Sequence, residues 1–297
     1  MASSPKEPFF LSVGFVETHR EFPELTQRAL ARYVSPPAPL PDLPEVRVDM
    51  ARYTLSVKTL DEKMGIVLDA LRASGLEKDT LVVCTTDHGI PFPRMKCTLT
   101  DDGIGVYLIM RGPHGFSGGR LIDALVSHVD IYPTLCECAG IDPPTWLEGK
   151  SLLPLIRGDT EEINERIFAE VTYHAAYEPQ RCTRSKRWKY IRRYDGRSGP
   201  VLPNCDDGES KTALFRHGWF AVEEEALFDL LYDPHETCNL ARDPRYASDL
   251  SKERRSLREW MERTADPLLG PLPVPAPIGA KVNSPDGYSP SEKSVGG

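Results

Sequence analysis

The run Thr80-Leu81-Val82-Val83-Cys84-Thr85-Thr86-Asp87-His88-Gly89 determines the architecture that the rest of the sequence has to fit. Its first seven residues are continuously β-prone, which predicts a parallel strand covered on both faces. Ligands in open α/β sheets bind beyond the carboxyl ends of strands, where a turn at Gly89 would leave Asp87 and His88. A carboxylate oxygen and an imidazole nitrogen can bind a divalent cation there. Because Asp and Gly are also common turn formers, an ordinary surface turn is the competing interpretation.

Helices are predicted on both sides of this strand. Apolar residues at alternating spacings of four and three predict an amphipathic helix from Met50 to Ser74. A second helix is predicted over Ile131–Ala139, with Asp130 as its N-cap and Gly140 at its end. Helices that alternate with a buried strand are typical of a doubly wound α/β domain.

The N-terminal residues predict a further strand and a loop. The apolar run from Phe9 to Phe15 is short and rich in aromatic residues, so it predicts a buried strand that leads directly to His19. The stretch from Pro36 to Pro44 holds five prolines among nine residues and is predicted to be a surface loop.

The pattern of predicted strands and helices changes near residue 158. Beyond it, short runs with an antiparallel character and a helix from about 247 to 264 predict a smaller α+β domain; the runs are Arg166 to Thr172, Arg184 to Arg193 and Glu225 to Tyr232. We therefore divide the chain into a catalytic α/β domain at 1–158, a small domain at 159–266 and a tail at 267–297. The tail is rich in Pro, Gly and Ser and is expected to wrap over the surface or to be disordered.

Composition excludes several functional classes. The formal net charge of -8 argues against binding to nucleic acid or to an anionic membrane through bulk electrostatics. The 7 cysteines lack the paired spacings of a zinc knuckle or a small disulfide scaffold. No apolar stretch reads as a signal peptide or a transmembrane helix, so the chain as given is expected to be cytoplasmic, although a longer parent could be secreted.

Five segments resemble the sulfatase family of the alkaline phosphatase superfamily. Asp87-His88-Gly89 matches the family's carboxy-terminal metal motif, and Lys96 matches its cationic sulfate ligand. The other matching segments follow in the family's order and are 8–20, 127–135, 147–155 and 227–240. The run Gly89-Ile90-Pro91-Phe92-Pro93 is most similar to heparan N-sulfatases (N-sulfoglucosamine sulfohydrolases) and their bacterial relatives.

The resemblance implies a fold, an activity and site residues. The fold would be an alkaline-phosphatase-like, doubly wound and mostly parallel sheet without its first strands, followed by a smaller antiparallel α+β domain. The activity would be that of a sulfuric ester hydrolase acting on a sulfate ester or a sulfamate, on a sulfated small molecule or glycan. Asp87 and His88 would hold a divalent metal, Lys96 would bind a sulfate oxygen, and His19 would contact the sulfate near the leaving atom.

Weaker candidates accompany these residues. Arg94 is a candidate substrate contact, although it could equally line the rim of the pocket or pair with a surface carboxylate. His174 follows a predicted strand and is also a candidate substrate contact, with a structural role as the alternative. The basic residues that could attract a sulfated sugar, or instead form a solvated strand face, are Arg181, Arg184, Lys186, Arg187, Lys189, Arg192 and Arg193.

The sequence departs from the family in its nucleophile. Sulfatases oxidise the Cys or Ser of a Cys/Ser-x-Pro-x-Arg motif to formylglycine, and none of the 7 cysteines begins such a motif. The family's first strand, with its paired metal-binding aspartates, has no counterpart either. We therefore expect an N-terminally truncated chain that is inactive as given. Calcium is the first expectation for the metal, while the nitrogen of His88 keeps manganese and zinc open.

Three interpretations remain open. The chain could be a truncated version of an active enzyme, a short sulfatase-like protein that binds without catalysis, or a metal-dependent phosphodiesterase or phosphonate monoester hydrolase of the same superfamily. The first is favoured because His19, Asp87, His88 and Lys96 all stand at matching positions. The run Ile90–Pro93 argues against the third. The oligomeric state stays open.

Overall fold

The computed structural model describes residues 8–218 and 221–292. The first half of the chain forms α1 Pro44–Ala73, β1 Val82–Thr85, α2 Asp101–Ile104, β2 Leu108–Arg111, α3 Ile131–Ala139 and α4 Leu153–Arg157. The second half forms β3 Arg166–Tyr173, β4 Tyr177–Ser185, β5 Trp188–Arg193, α5 Glu209–Arg216, β6 Glu225–Asp229 and α6 Ala247–Arg263. No helix within the described ranges is long and apolar enough to cross a membrane.

The strand predicted at residues 80–86 forms as β1, but its pairing differs from the prediction. It pairs antiparallel with β2, with Thr85 opposite Leu108 and Val82 opposite Arg111. Parallel pairing needs a crossover that returns the chain to the start of the first strand. Residues 86–107 stay at the carboxyl end of β1, so β2 starts where β1 ends. Residues 82–84 are half-buried rather than covered on both faces.

Helix α1 is longer than its predicted span. Pro44 occupies its first turn, where the missing backbone donor costs little, and Gly75 follows its end with a φ of 75°. Its buried residues Val46 and Met50 pack in a core cluster with Leu40, Phe92, Met95 and Leu214. The proline-rich loop is confirmed up to Leu43, and α3 has the predicted bounds.

The strand predicted at Phe9–Phe15 is wrong. These residues lie outside any strand, and Phe10 is 84% exposed. A strand needs a neighbour that satisfies its backbone hydrogen bonds, and in the part of the chain that the structure describes no strand pairs with residues 9–15. An apolar run is therefore not sufficient to form one here.

The antiparallel character of the second sheet is confirmed, with strand order β3-β4-β5-β6. Helix α6 covers this sheet and buries Leu250, Leu257 and Met261 against Tyr190 and Leu227. Strand β4 and helix α5 were not predicted. The described part of the tail wraps over the surface, where Asn283 forms a bridge with Ala176; residues 293–297 lie outside the described residues.

The second sheet fixes the loop that follows β1. Lys189 of β5 is fully buried, and its Nζ donates to Leu99 O at 2.8 Å and lies 2.8 Å from Asp101 Oδ1. Arg184 of β4 also binds Asp101, at 2.9 Å. Residues 99–101 are therefore held against the sheet. The domain boundary near residue 158 stays a prediction.

Candidate active site

Lys96 is the charged centre of the candidate site. The residue is only 5% exposed, and its Nζ donates to Asp206 Oδ2 at 2.8 Å. The same nitrogen lies 3.5 Å from Nε2 of His19, which is 77 residues away in the chain. The fold therefore brings together the two residues that the sequence suggested for the sulfate, and it adds Asp206, which was not predicted.

The imidazole of His19 is held in one orientation. Its Nδ1 lies 2.7 Å from the carbonyl oxygen of Arg20, so Nδ1 carries the proton in the neutral ring and Nε2 presents its lone pair to Lys96. Arg20 is fixed in turn by two hydrogen bonds of 2.7 Å to Asp49 on α1 and by one of 3.1 Å to Pro91 O. His19 itself is exposed, so a ligand can reach it.

The turn that carries Asp87 and His88 depends on glycine. Gly89 N donates to Gly103 O at 2.8 Å, which brings two backbone segments into close contact. A Cβ on Gly89 would lie 1.8 Å from Asp102 O, closer than any van der Waals contact allows. Glycine at this position therefore lets the end of β1 pack against α2.

Asp87 and His88 form a small acceptor pair. His88 Nδ1 lies 2.7 Å from Gly89 O, so the neutral ring directs the Nε2 lone pair towards Asp87 Oδ2 at 3.4 Å. Partial burial favours the neutral carboxyl of Asp87, but the positive charge that His88 carries when its ring is protonated, together with hydrogen bonds from Thr86 and the backbone, outweighs it and lowers the pKa of Asp87. Two acceptors at this distance can share a cation or a proton.

The pair does not form a complete metal site. Residues 8–218 and 221–292 contain no group of three or more His, Cys, Asp or Glu side chains that could hold a metal ion. Calcium takes about six to eight oxygen ligands, so two donors do not fit it alone. The predicted metal role of Asp87 and His88 stays a prediction.

His174 belongs to the same neighbourhood, in the turn between β3 and β4. Much of the residue is open to solvent, yet partial burial of its ring lowers the pKa of His174, and the charge of Lys96 lowers it further. His88 and His19 lower the pKa of His174 as well, while Asp206 opposes them.

Asp87, His88 and His19 line a cavity of about 880 Å³.

The remaining candidates lie elsewhere. Arg94 is exposed and has a φ of 66°, and its charge acts on Asp102. Each of the seven basic residues between 181 and 193 has a carboxylate within 4 Å, and the partners are Asp266, Asp101, Glu162, Asp229, Glu225 and Glu178. This pairing leaves the cluster little net charge with which to attract a sulfated sugar.

Asp206 is the functional candidate that sequence reasoning missed. It follows Pro203 and Asn204 and precedes Gly208 and α5, a pattern that indicates a turn before a helix. This sequence pattern does not indicate a catalytic or binding role for Asp206. Only the fold shows that this turn meets Lys96, 110 residues earlier.

Two family models match the chain. The sulfatase model matches residues 1–141, and the model described as N-sulphoglucosamine sulphohydrolase, C-terminal, matches residues 94–200. Among curated proteins, N-sulphoglucosamine sulphohydrolase from Homo sapiens is 29% identical over 88% of this chain, and an ulvan-active sulfatase from Formosa agariphila is 30% identical over 77% of it. The chain spans 62% and 41% of the lengths of these two relatives.

Solved structures agree with this similarity. A 2-O GAG sulfatase superposes with a TM-score of 0.63 at 27% identity, covering 78% of this chain and 46% of that one. A phosphonate monoester hydrolase of Agrobacterium radiobacter superposes with a TM-score of 0.56 at 24% identity, covering 75% of this chain and 43% of that one, which supports the shared fold alone. The predicted fold class, α/β with a smaller antiparallel domain, is confirmed, although both sheets of the described residues are antiparallel and the predicted mostly parallel sheet is not seen among them.

Proposed function

Because the chain belongs to the sulfatase family, we propose that it binds and helps to hydrolyse a sulfate ester or a sulfamate carried on a sugar. The observation that carries the proposal is the contact between the buried ammonium of Lys96 and the imidazole of His19. The names of several relatives are in keeping with a sugar substrate, including the N-sulphoglucosamine sulphohydrolase and a hexuronate-2-O-sulfatase.

The chemistry of sulfuryl transfer suits these groups. The transferred group carries negative charge on its oxygens, and a buried cation stabilises such charge far better than one in water. Lys96 would bind one of these oxygens. His19 would exchange a proton with the leaving atom through Nε2, since Nδ1 is held by Arg20 O. Because its pKa is lowered, His174 would be neutral near pH 7 and would contribute hydrogen bonds rather than charge.

The proposal names no nucleophile in this chain and only two ligands for the metal. In the family a formylglycine attacks sulfur, and neither a Cys nor a Ser of these 297 residues begins the Cys/Ser-x-Pro-x-Arg motif. We propose Asp87 and His88 as two ligands of a divalent metal, with calcium first and manganese or zinc as alternatives. Such a metal would supply positive charge at the sulfate oxygens. Two donors alone do not complete the coordination of such a metal.

We propose a second candidate function for these 297 residues, in which no Cys or Ser begins the nucleophile motif. In it, Lys96 and His19 bind a sulfated sugar without hydrolysing it. The two functions share an anion site and differ in turnover. A phosphonate monoester hydrolase is the other alternative in this superfamily, and it would prefer a phosphonate to a sulfate.

Calorimetric titration tests the anion site directly. We expect Lys96→Met to weaken binding of inorganic sulfate at least about tenfold, or about 1.4 kcal/mol, because it removes the buried charge. Lys186→Met is the matched control, since that lysine is exposed and pairs with Glu162. Equal affinities in wild type and Lys96→Met would contradict the proposal, as would tighter binding of methylphosphonate than of sulfate by the wild type.

An activity assay separates the two candidate functions. Release of sulfate from N-sulfoglucosamine would support the enzyme, whereas binding without turnover would support the second candidate.

A further inference from the structure

We infer that Asp206 is a positioning residue for Lys96 and holds its ammonium in place beside His19. The carboxylate Oδ2 lies 2.8 Å from Lys96 Nζ, and the side chains of Lys96 and Asp206 are 3% and 13% exposed. The inference rests on the proposed function, because it concerns the same site. It goes beyond that proposal by naming the group that keeps the lysine charged and directed.

The geometry leaves Lys96 able to take a ligand. An ammonium group has three N–H donors. One is directed at Asp206 and a second lies within reach of His19 Nε2, at 3.5 Å. The third is available for an oxyanion. Asp206 thus orients Lys96 without using all of its hydrogen-bonding capacity.

The charge balance separates positioning from ligand binding. A carboxylate this close to a bound sulfate would repel it, so Asp206 is not itself a sulfate ligand. A buried lysine without a counter-charge tends to release its proton, because burial disfavours the charged form. The carboxylate therefore preserves the charge on which anion binding depends.

The loop that carries Asp206 is held on both sides. Asn204 accepts a hydrogen bond from Ala176 N at 2.8 Å and donates to Ala176 O at 3.2 Å. Lys211 donates to Cys205 O at 2.7 Å and to Asp207 Oδ1 at 2.8 Å. Neighbours before and after Asp206 are therefore anchored, which fixes its carboxylate before any ligand arrives.

The contacts between Asn204 and Ala176 also couple Asp206 to His174. Ala176 is fully buried and lies two positions after His174, while Asn204 lies two positions before Asp206. The paired hydrogen bonds between Asn204 and Ala176 therefore join the two turns. The turn that carries His174 and the loop that carries Asp206 are therefore held against each other, and Asp206 binds Lys96.

The test compares Asp206→Asn, Asp206→Glu and Asp207→Asn in the full chain. Asp207→Asn is the matched control, because Asp207 binds Lys211 and Ser289 but not Lys96, and the amide oxygen of Asn can still accept the Lys211 hydrogen bond that anchors the loop. The first readout is the ¹⁵Nζ signal of the Lys96 ammonium, assigned by its loss in Lys96→Met. The second is the affinity for inorganic sulfate between about pH 7 and about pH 9, where a lysine without its counter-charge would begin to lose its proton.

We expect Asp206→Asn to abolish or shift the Lys96 signal. We also expect its sulfate affinity to fall at least about tenfold as the pH rises, and loss of a purely structural ion pair would not cause this fall in affinity. Asp206→Glu should restore both readouts in part, and Asp207→Asn should resemble wild type. An unchanged Lys96 signal in a folded Asp206→Asn protein would overturn the inference, as would an equal loss in Asp207→Asn. If wild type binds no sulfate, the proposed function fails, while the Lys96 signal still decides the role of Asp206.

Discussion

At the scale of single residues, Gly89 shows how backbone contact shapes the site. Its amide donates to Gly103 O, and an added Cβ would overlap Asp102 O. We expect Gly89→Ala to lower the free energy of unfolding by roughly 1–3 kcal/mol, because the backbone of Asp102 and Gly103 leaves the methyl group no room. Urea denaturation measures this difference.

Gly65 provides the control for that substitution. It lies within α1, and no atom is close to the position that its Cβ would occupy. Gly65→Ala should therefore raise the free energy of unfolding by about 0.5–1 kcal/mol, as expected in a helix interior. A Gly89→Ala protein as stable as wild type would refute the close-contact explanation.

Individual site residues were predictable to different degrees. His19 and Lys96 stand in segments that resemble a known family, and the fold brings their side chains together. Asp206 could not be found in this way, because an acidic residue in a turn before a helix is common and its role depends on a contact 110 residues distant. Arg94 was a reasonable candidate by proximity in sequence, but it is exposed whereas Lys96, two residues later, is buried.

At the scale of elements, the contact between the second sheet and the loop after β1 contains a titratable group. Glu236 is buried there, 3.9 Å from Lys189 Nζ. Burial raises the pKa of Glu236 to about 7, although Lys189 and a hydrogen bond from Asp101 N oppose the shift. The protonated form is therefore the one that the folded state favours.

This shift predicts a dependence of stability on pH. Because the folded pKa lies above the ordinary value of 4.5, the contribution of Glu236 to stability is complete below that value and is lost as the pH rises through about 7. The loss approaches about 1.4 kcal/mol for each pH unit within that window. Glu236→Gln should remove it, since the amide does not titrate. Urea midpoints at several pH values test this, and an unchanged pH slope in Glu236→Gln would exclude Glu236 as its source.

Elements with strong local signals were predictable, whereas those that depend on tertiary contacts were not. Helix α3 has its predicted bounds because Asp130 directly precedes it and Gly140 ends it in the left-handed conformation, and α6 follows its apolar periodicity. Strand β4 escaped prediction because it buries polar and charged residues, among them Gln180, Arg181 and Thr183. Arg181 can be buried because Asp266 binds its guanidinium, a partner that no local pattern reveals.

At the scale of the whole molecule, the tail stabilises the turn next to the site. Asn283 N donates to Ala175 O at 2.7 Å, and the Asn283 side chain donates to the carbonyl oxygens of Ser289, Pro290 and Glu292. We expect Asn283→Ala to cost roughly 1–3 kcal/mol of unfolding free energy, because the buried Asn283 side chain is the hydrogen-bond donor to three carbonyl groups of the tail. Ser291→Ala, at an exposed position, is the control for a thermal-unfolding comparison. Equal melting temperatures for the two variants would show that the tail does not stabilise the fold.

The proposed function and the role of Asp206 both require an oxyanion to bind where His19 and Lys96 meet. Selenate, an anomalously scattering analogue of sulfate, tests this most directly in crystals of the chain. We expect its selenium peak about 4 Å from both Lys96 Nζ and His19 Nε2, a separation at which its oxygens accept hydrogen bonds from the lysine. Selenate bound elsewhere on the chain, with no peak beside these two residues, would contradict the account.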